Sequence, residues 1–326
     1  MTTRTITYAQ AINEALDEEL GRDESVITFG EDVGVFGGVF GVTKGLQDRY
    51  GSDRVFDTPL SETLIVGAAV GAAITGMRPI AELQYADFVA IAFDEIYNKA
   101  ARWRYIHGGL HSMPLVIRAP EGAKGGGGPE HSQSVGALFA SAIGLHVVMP
   151  STPADAKGLL KSAIRSDDPV LFLEHKALYH RKGEVPDGEH LVPIGVADVK
   201  RPGTDVTVVA FGSMVLRSLQ AADELAAEGI EAEVIDQRGI RPLDTDTILV
   251  SVERTGRLVV VHEAPAHGGP GAEVVARIAE QGLDLLEAPI RRVTMPEALV
   301  PQSVHLEKML VPTAADVVAA VREVLA

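Results

Sequence analysis

A chain of 326 residues, 46% apolar and 23% charged, is long enough for about two domains and apolar enough for a large core, which excludes disorder, collagen-like repeats and coiled coils. Its net charge of −16 repels a phosphate backbone, so nucleic acid is not an expected partner. The absence of cysteine excludes disulfides, zinc-thiolate sites and thiol nucleophiles. Met1–Thr7 carries one arginine and no apolar stretch, so no signal peptide is expected and the chain is placed in the cytoplasm. Thr7 with Gln10 forms a capping-box start, and Ile12, Ala15, Leu16 and Leu20 follow a helical stripe that ends at Gly21. Strand-length apolar runs at Val26–Phe29, Leu115–Ile117, His146–Met149 and Val170–Leu173 alternate with segments of helical length, the pattern of an α/β fold with a parallel sheet. The greasy run Leu64–Met77 is too short to span a bilayer and dense in Gly and Ala. It reads as a helix buried inside protein, with Gly67 and Gly71 one turn apart so that another backbone packs close. Thr152, Pro153 and Asp155 start a further helix through Lys157 to Ile164.

The stretch Gly183–Gly195, rich in Gly, Pro and charge, reads as the join between domains. Beyond it the pattern restarts as a smaller α/β domain: a strand at Val206–Phe211, a helix from about Val215 to Glu228 ended by Gly229, strands at Ala232–Ile235 and Leu258–Val261, and a C-terminal helix. The boundaries are therefore set at 1–184, a linker over 185–200, and 201–326.

Dinucleotide, P-loop and serine-hydrolase signatures are all absent. His262-Glu263 with His267 imitates a zinc-protease helix, but the histidines are five apart and Pro265 breaks any helix between them, so that site is discarded. Three constellations remain. In Thr58-Pro59-Leu60-Ser61-Glu62 the ordinary reading is that Ser61 caps the next helix and Glu62 favours its positive end. The sharper one is a carboxylate placed where water is scarce, poised to share a proton with a ligand. Glu82 to Phe88 sits at a strand end and leads to a stripe of Phe93, Ile96, Tyr97 and Ala100, whose aromatics are expected in the core. Gly125–Gly128 precedes His131, and such a glycine run permits close backbone approach to a ligand as the loop delivers the histidine to a helix start.

Taken in order, Gly30-Glu31-Asp32-Val33-Gly34, Gly37-Gly38-Val39-Phe40, Arg54 to Pro59, Arg78-Pro79-Ile80-Ala81-Glu82, His131-Ser132-Gln133-Ser134, Pro150 to Pro153, Ala156 to Leu160 and His262-Glu263-Ala264-Pro265 span nearly the whole chain. This series resembles the beta subunit of the decarboxylating component of 2-oxoacid dehydrogenase complexes. The resemblance implies a transketolase-type pyrimidine-binding domain followed by a smaller transketolase C-terminal domain. It implies thiamine diphosphate as cofactor, with Glu62 hydrogen-bonding the pyrimidine N1′, Phe88 stacking on the ring and His131 facing substrate and adduct. No Gly-Asp-Gly is present, so Mg2+ and the diphosphate are expected to be held by an alpha subunit in an α2β2 heterotetramer that docks on a lipoyl acyltransferase core. The resemblance also implies a K+ site on the backbone oxygens of Leu115, Val116, Ala163, Ser166 and Asp168. Pyruvate and branched-chain 2-oxoacids are the expected substrates. An acetoin dehydrogenase beta subunit, a split transketolase-like subunit, or a docking subunit with an acidic face for a basic partner are the alternatives.

Overall fold

The computed structural model describes residues 2–326, and contacts divide them into two units: one of residues up to Glu121 with Leu138–Ile194, the other of Gly122–Ala137 with Gly195–Ala326. The first unit runs β1 (Thr3–Thr7), α1 (Tyr8–Arg22), β2 (Val26–Gly30), α2 (Leu46–Tyr50), β3 (Val55–Asp57), α3 (Glu62–Ile74), β4 (Arg78–Glu82), α4 (Trp103–Ile106), β5 (Val116–Glu121), β6 (His146–Val148), α5 (Pro153–Arg165), β7 (Val170–His175) and β8 (Lys182–Pro186). Its main sheet has the order β6-β7-β5-β4-β2-β3, every pair parallel, with Thr28 opposite Val55 and Ile80, and Ile117 opposite Leu171. Strands buried on both faces need continuous apolar runs instead of alternation, which is what Val26–Phe29 and Val170–Leu173 supply. The antiparallel pair β1·β8 lies outside the apolar-run pattern, because Thr3–Thr7 is polar apart from Ile6.

Helix α1 begins with the expected capping box at Thr7 and Gln10 and buries Ile12, Ala15, Leu16 and Leu20. Helix α5 is capped by the Thr152 side chain and has Pro153 in its first turn, as read from sequence. Gly158 lies in its interior because a Cβ there would come within 2.5 Å of Val192 Cγ2.

Three local expectations are corrected. Helix α3 is not buried all round: Ile65, Val66, Ala69, Val70 and Ala73 face the core, whereas Leu64 is 55% and Ile74 45% exposed. A helix apolar on every face has only one face covered within this chain. A Cβ on Gly71 would meet nothing within 4 Å, so its bareness serves no packing inside the unit. Ser61 stands at the N-cap of α3, but its side chain makes no capping hydrogen bond. The stripe after Phe88 is broken into a 3-10 turn over Ala86–Ala90 and a π-helical turn over Glu95–Ala100; Ile96 and Ala100 are buried, while Phe93 is 37% exposed.

The second unit comprises β9 (Asp198–Arg201), β10 (Val206–Ala210), α6 (Met214–Ala226), β11 (Ala232–Asp236), β12 (Gly239–Arg241), α7 (Thr245–Thr255), β13 (Leu258–Pro265), α8 (Pro270–Gln281), β14 (Arg291–Met295), α9 (Val304–Leu310) and α10 (Ala314–Leu325). Its sheet has the order β14-β13-β10-β11-β9, parallel except for the edge strand β9, and Val206, Val208, Val215, Leu225, Val261, Val317 and Val321 form its core. Among the described residues no helix is long and apolar enough to cross a membrane.

Candidate active site

In an open parallel sheet the carboxyl ends of the strands lie along one edge, the usual place for a ligand. Here that edge carries Glu31 after β2, Asp57 and Thr58 at the end of β3, and Glu82 at the end of β4. The approach of β2 to β4 is close: a Cβ on Gly30 would fall 2.3 Å from the Glu82 carbonyl oxygen. Asp57 accepts hydrogen bonds from the Gly34 N–H at 2.6 Å and the Val35 N–H at 3.3 Å, which anchors the loop after Glu31.

Glu62 opens α3 and is half-buried, in a less water-poor place than the sharper reading assumed. Among the described residues no hydrogen bond or ion pair engages its carboxylate. The next residue, Thr63, donates its hydroxyl to the Ile91 carbonyl at 2.9 Å, and Ile91 N–H in turn bonds to Phe88 O at 3.0 Å. The head of α3 is thereby stitched to the turn that carries Phe88. Phe88 itself is half-buried and meets Tyr85 edge-on, ring centroids 6.2 Å apart.

In the sequence Glu31 is one residue of a motif, and only the tertiary structure sets it apart. The residue is 4% exposed and its Oε1 has no hydrogen-bond partner among the described residues. Burial pushes its carboxyl up to about 6, and the charges of Glu62 and Asp32 add to the effect. Thr58 Oγ1 is a second buried oxygen without a partner at the same edge. Orphaned polar atoms of this kind fit a site completed by a ligand's own donors. No sequence signal separates Glu31 from an ordinary exposed loop acid, because its burial is produced by strands distant in sequence.

Below this edge Arg118 is fully buried in β5, donating to both oxygens of Glu174 at 2.6 and 2.9 Å and also to Glu82. Tyr179 donates to Glu174 at 2.8 Å. Burial raises the Glu82 carboxyl, with Arg118 pulling the other way. The cluster ties β4, β5 and β7 together by charge.

His131 lies in Gly122–Ala137, the segment that groups with the second unit, and is half-buried. The expected helix start beyond it is absent: residues 131–135 are irregular and only a short 3-10 turn follows at Gly136–Phe139. In the discarded zinc motif, His262 is 1% exposed on β13 beneath the start of α8, where a Cβ on Gly269 would lie 2.4 Å from its Cε1. Burial pushes its imidazole down to about 4, so it packs as a neutral ring.

Of the backbone oxygens expected for K+, that of Leu115 accepts from Val170 N–H at 2.8 Å, Ala163 from Ser166 N–H at 3.1 Å, and Asp168 from the Ser166 hydroxyl at 3.0 Å. Ser166 O accepts from Arg78 Nη1 at 2.9 Å, and the same nitrogen reaches Ile164 O at 3.1 Å. At Ser166 a cation would share the carbonyl oxygen with the Arg78 guanidinium. Among the described residues no three His, Asp or Glu side chains gather as a metal site.

A two-domain α/β chain with this edge has the build of a transketolase-type protein. The family described as "Transketolase, pyrimidine binding domain" matches residues 4–182, and "Transketolase, C-terminal domain" matches 195–317. A solved split-gene transketolase, an inactive beta4 tetramer, superposes with a TM-score of 0.83 at 26% identity, covering 98% of each chain. The chain is 50% identical to the acetoin:2,6-dichlorophenolindophenol oxidoreductase subunit beta of Cupriavidus necator, over 99% of its length and 98% of the relative's. It is also 50% identical to the pyruvate dehydrogenase E1 component subunit beta of Bacillus subtilis, over 98% of both. The chain belongs to this family of transketolase-type beta subunits of 2-oxoacid and acetoin dehydrogenases, and with it to the oxidoreductases.

Proposed function

We propose that the chain is the beta subunit of a thiamine diphosphate-dependent 2-oxoacid dehydrogenase. With an alpha subunit, in an α2β2 assembly in the cytoplasm, it would decarboxylate pyruvate or a branched-chain 2-oxoacid and pass the acyl group to lipoamide on an acyltransferase core. The observation that carries this reading is Glu62: a carboxylate with no partner among the described residues, at the head of α3, beside a second carboxylate whose burial favours the protonated form. The thiamine cofactor would supply the carbanion chemistry. Glu62 would hold a proton at the pyrimidine N1′, and Phe88 would cover the face of that ring. His131 would donate a hydrogen bond or a proton to the substrate oxygen. Mg2+ would be held by the alpha subunit, and K+ at the 115–168 oxygens would add rigidity only. A pyrimidine-binding domain over 1–184, a linker over 185–200 and a C-terminal domain over 201–326 belong to the same reading, which the family matches ending at 182 and starting at 195 support.

The test is reconstitution with the alpha subunit and assay with an artificial electron acceptor. The isolated chain should be inactive and the mixture active. Glu62→Gln should lower kcat by about 100-fold or more with assembly intact, the scale of losing one positioned proton-transfer group. Full activity of the chain alone, or unchanged turnover of the variant, defeats the proposal. The identity to the Cupriavidus necator subunit supports a second reading, with acetoin as substrate, and turnover of acetoin in preference to 2-oxoacids would select it.

A further inference from the structure

The glycine run read from sequence as an approach for a ligand is occupied by the chain's own carboxylate. Glu307 on α9 accepts the successive N–H groups of Gly125 and Gly126 on its two oxygens, at 2.6 and 2.8 Å. Two residues earlier, Glu263 at the end of β13 accepts the Ala123 N–H at 2.6 Å and the Ser213 hydroxyl at 3.2 Å. Glu307 is 4% exposed, although Leu306 and Met309 on the same helix are 50% and 70% exposed. Withdrawing a carboxylate from water while apolar neighbours stay in it is unfavourable unless charge-assisted hydrogen bonds offset the desolvation, and here two do.

The backbone is built for this contact. Gly125 and Gly126 hold φ of +73° and +95°, where a side chain is strained, and consecutive N–H groups in such a bend converge on one anion. A Cβ on Gly126 would lie 3.0 Å from the Gln302 carbonyl oxygen, and one on Gly127 would lie 2.6 Å from Ser132 Oγ. The run therefore lies flat on the 302–307 segment, and its far end reaches the histidine, whose N–H bonds to Gly128 O at 3.4 Å. The course of the loop up to His131 is thus set by a charge on α9, more than 170 residues further along the chain.

We propose that Glu307 is a positioning residue for His131: its carboxylate, seated in the N–H groups of the glycine run, fixes the loop that presents the histidine. The proposal rests on the role given to His131 above, but the clamp itself does not.

Two readouts separate them. Lys124 is exposed and immediately precedes the clamped glycines, so trypsin cleavage after Lys124 of the full chain, followed by mass, reports release of the loop without any turnover. In the reconstituted enzyme, kcat and KM are measured for wild type, Glu307→Gln, Glu307→Asp, Gly126→Ala, His131→Ala and the Glu307→Gln/His131→Ala pair. Glu307→Gln keeps the shape but loses the charge and one acceptor, and Gly126→Ala attacks the same contact from the loop side. Both should speed cleavage after Lys124 by about 10-fold or more, since local opening controls it. Both should lower kcat by about 10- to 100-fold with KM little changed, the effect of a catalytic group misplaced by about an ångström. Glu307→Asp, which keeps both oxygens, should recover part of kcat, and Glu307→Gln should add nothing in the His131→Ala background. Unchanged cleavage in both single variants, or a Glu307→Gln loss that persists undiminished in the His131→Ala background, overturns the proposal. Full turnover of His131→Ala, with cleavage still accelerated in Glu307→Gln, overturns the role of His131 and leaves Glu307 with nothing catalytic to position.

Discussion

Replacing Arg118 with methionine, which has no charge, removes the one cation from a cluster that contains Glu82, Glu174 and Tyr179. Arg118 is 0%, Glu174 0% and Glu82 3% exposed, so neither carboxylate can turn to water when its partner goes. Three charge-assisted hydrogen bonds are lost, two to Glu174 and one to Glu82. Breaking a buried pair in this way costs about 3–5 kcal/mol, because uncompensated charge remains inside. The Glu82 carboxylate can escape by binding a proton. Burial already raises Glu82, and without the arginine the shift grows, so the variant's folded state holds protons that the unfolded state has released. Folded pKa values above the unfolded ones contribute stability below the unfolded pKa and lose it as pH rises, so the penalty should shrink on acidification. Each retained proton changes the penalty by about 1.4 kcal/mol per pH unit between the two pKa values. The assay is urea unfolding of the full chain at pH 7 and pH 6, followed by the fluorescence of the single tryptophan, Trp103, which belongs to the same unit. Glu82→Gln and Glu174→Gln added to Arg118→Met should recover at least half of the loss. A loss below about 1 kcal/mol, or one independent of pH, would refute the reasoning.

Other outcomes follow from single residues. Glu31→Gln should stabilise the chain at pH 8 by about 1 kcal/mol after allowance for solvent screening, and not at pH 4, because the wild-type carboxyl, raised to about 6, must ionise in a buried place as pH rises through that value; urea midpoints across this range check it. Gly71→Ala should stabilise the isolated chain by about 0.5–1 kcal/mol, since a Cβ there is in open space and alanine favours helix; thermal melts read the effect. Gly158→Ala should go the other way despite the same propensity gain, losing about 1–3 kcal/mol to the 2.5 Å encounter with Val192, as measured by urea unfolding. Gly144→Ala should be harsher still, for φ is +93° and the new Cβ would fall 2.0 Å from the Ala101 carbonyl oxygen; poor recovery of folded protein is the expected observation.

Sequence by itself determined the elements whose signals are local. The Thr7–Gln10 capping box, the Thr152–Pro153 helix start and the apolar runs of β2, β7, β10 and β13 are read from neighbours in the chain, and each appears within a residue or two of its expected place except that β13 runs on past Val261 to Pro265. Ordered motifs also carried the family, since spacing over the whole chain is a one-dimensional property. Phe88 and Glu62 were legible as candidates, but not the hydrogen bond from Thr63 to Ile91 that ties their segments together.

Only the tertiary structure decided which acids matter. Glu24, Glu31 and Glu307 look alike in the sequence, but Glu24 is exposed while Glu31 and Glu307 are 4% exposed; burial depends on which distant strands and loops close over each, and burial is what separates a solvated charge from a proton-holding or anchoring one. It decided as well that α3 keeps an open apolar face, because exposure is the absence of a partner and no periodicity encodes it. Length and charge set the same limits as before: two α/β units and an acidic chain without thiols. What the fold added is that the histidine-bearing loop, which lies between two stretches of the first unit in sequence, is held by carboxylates of the second.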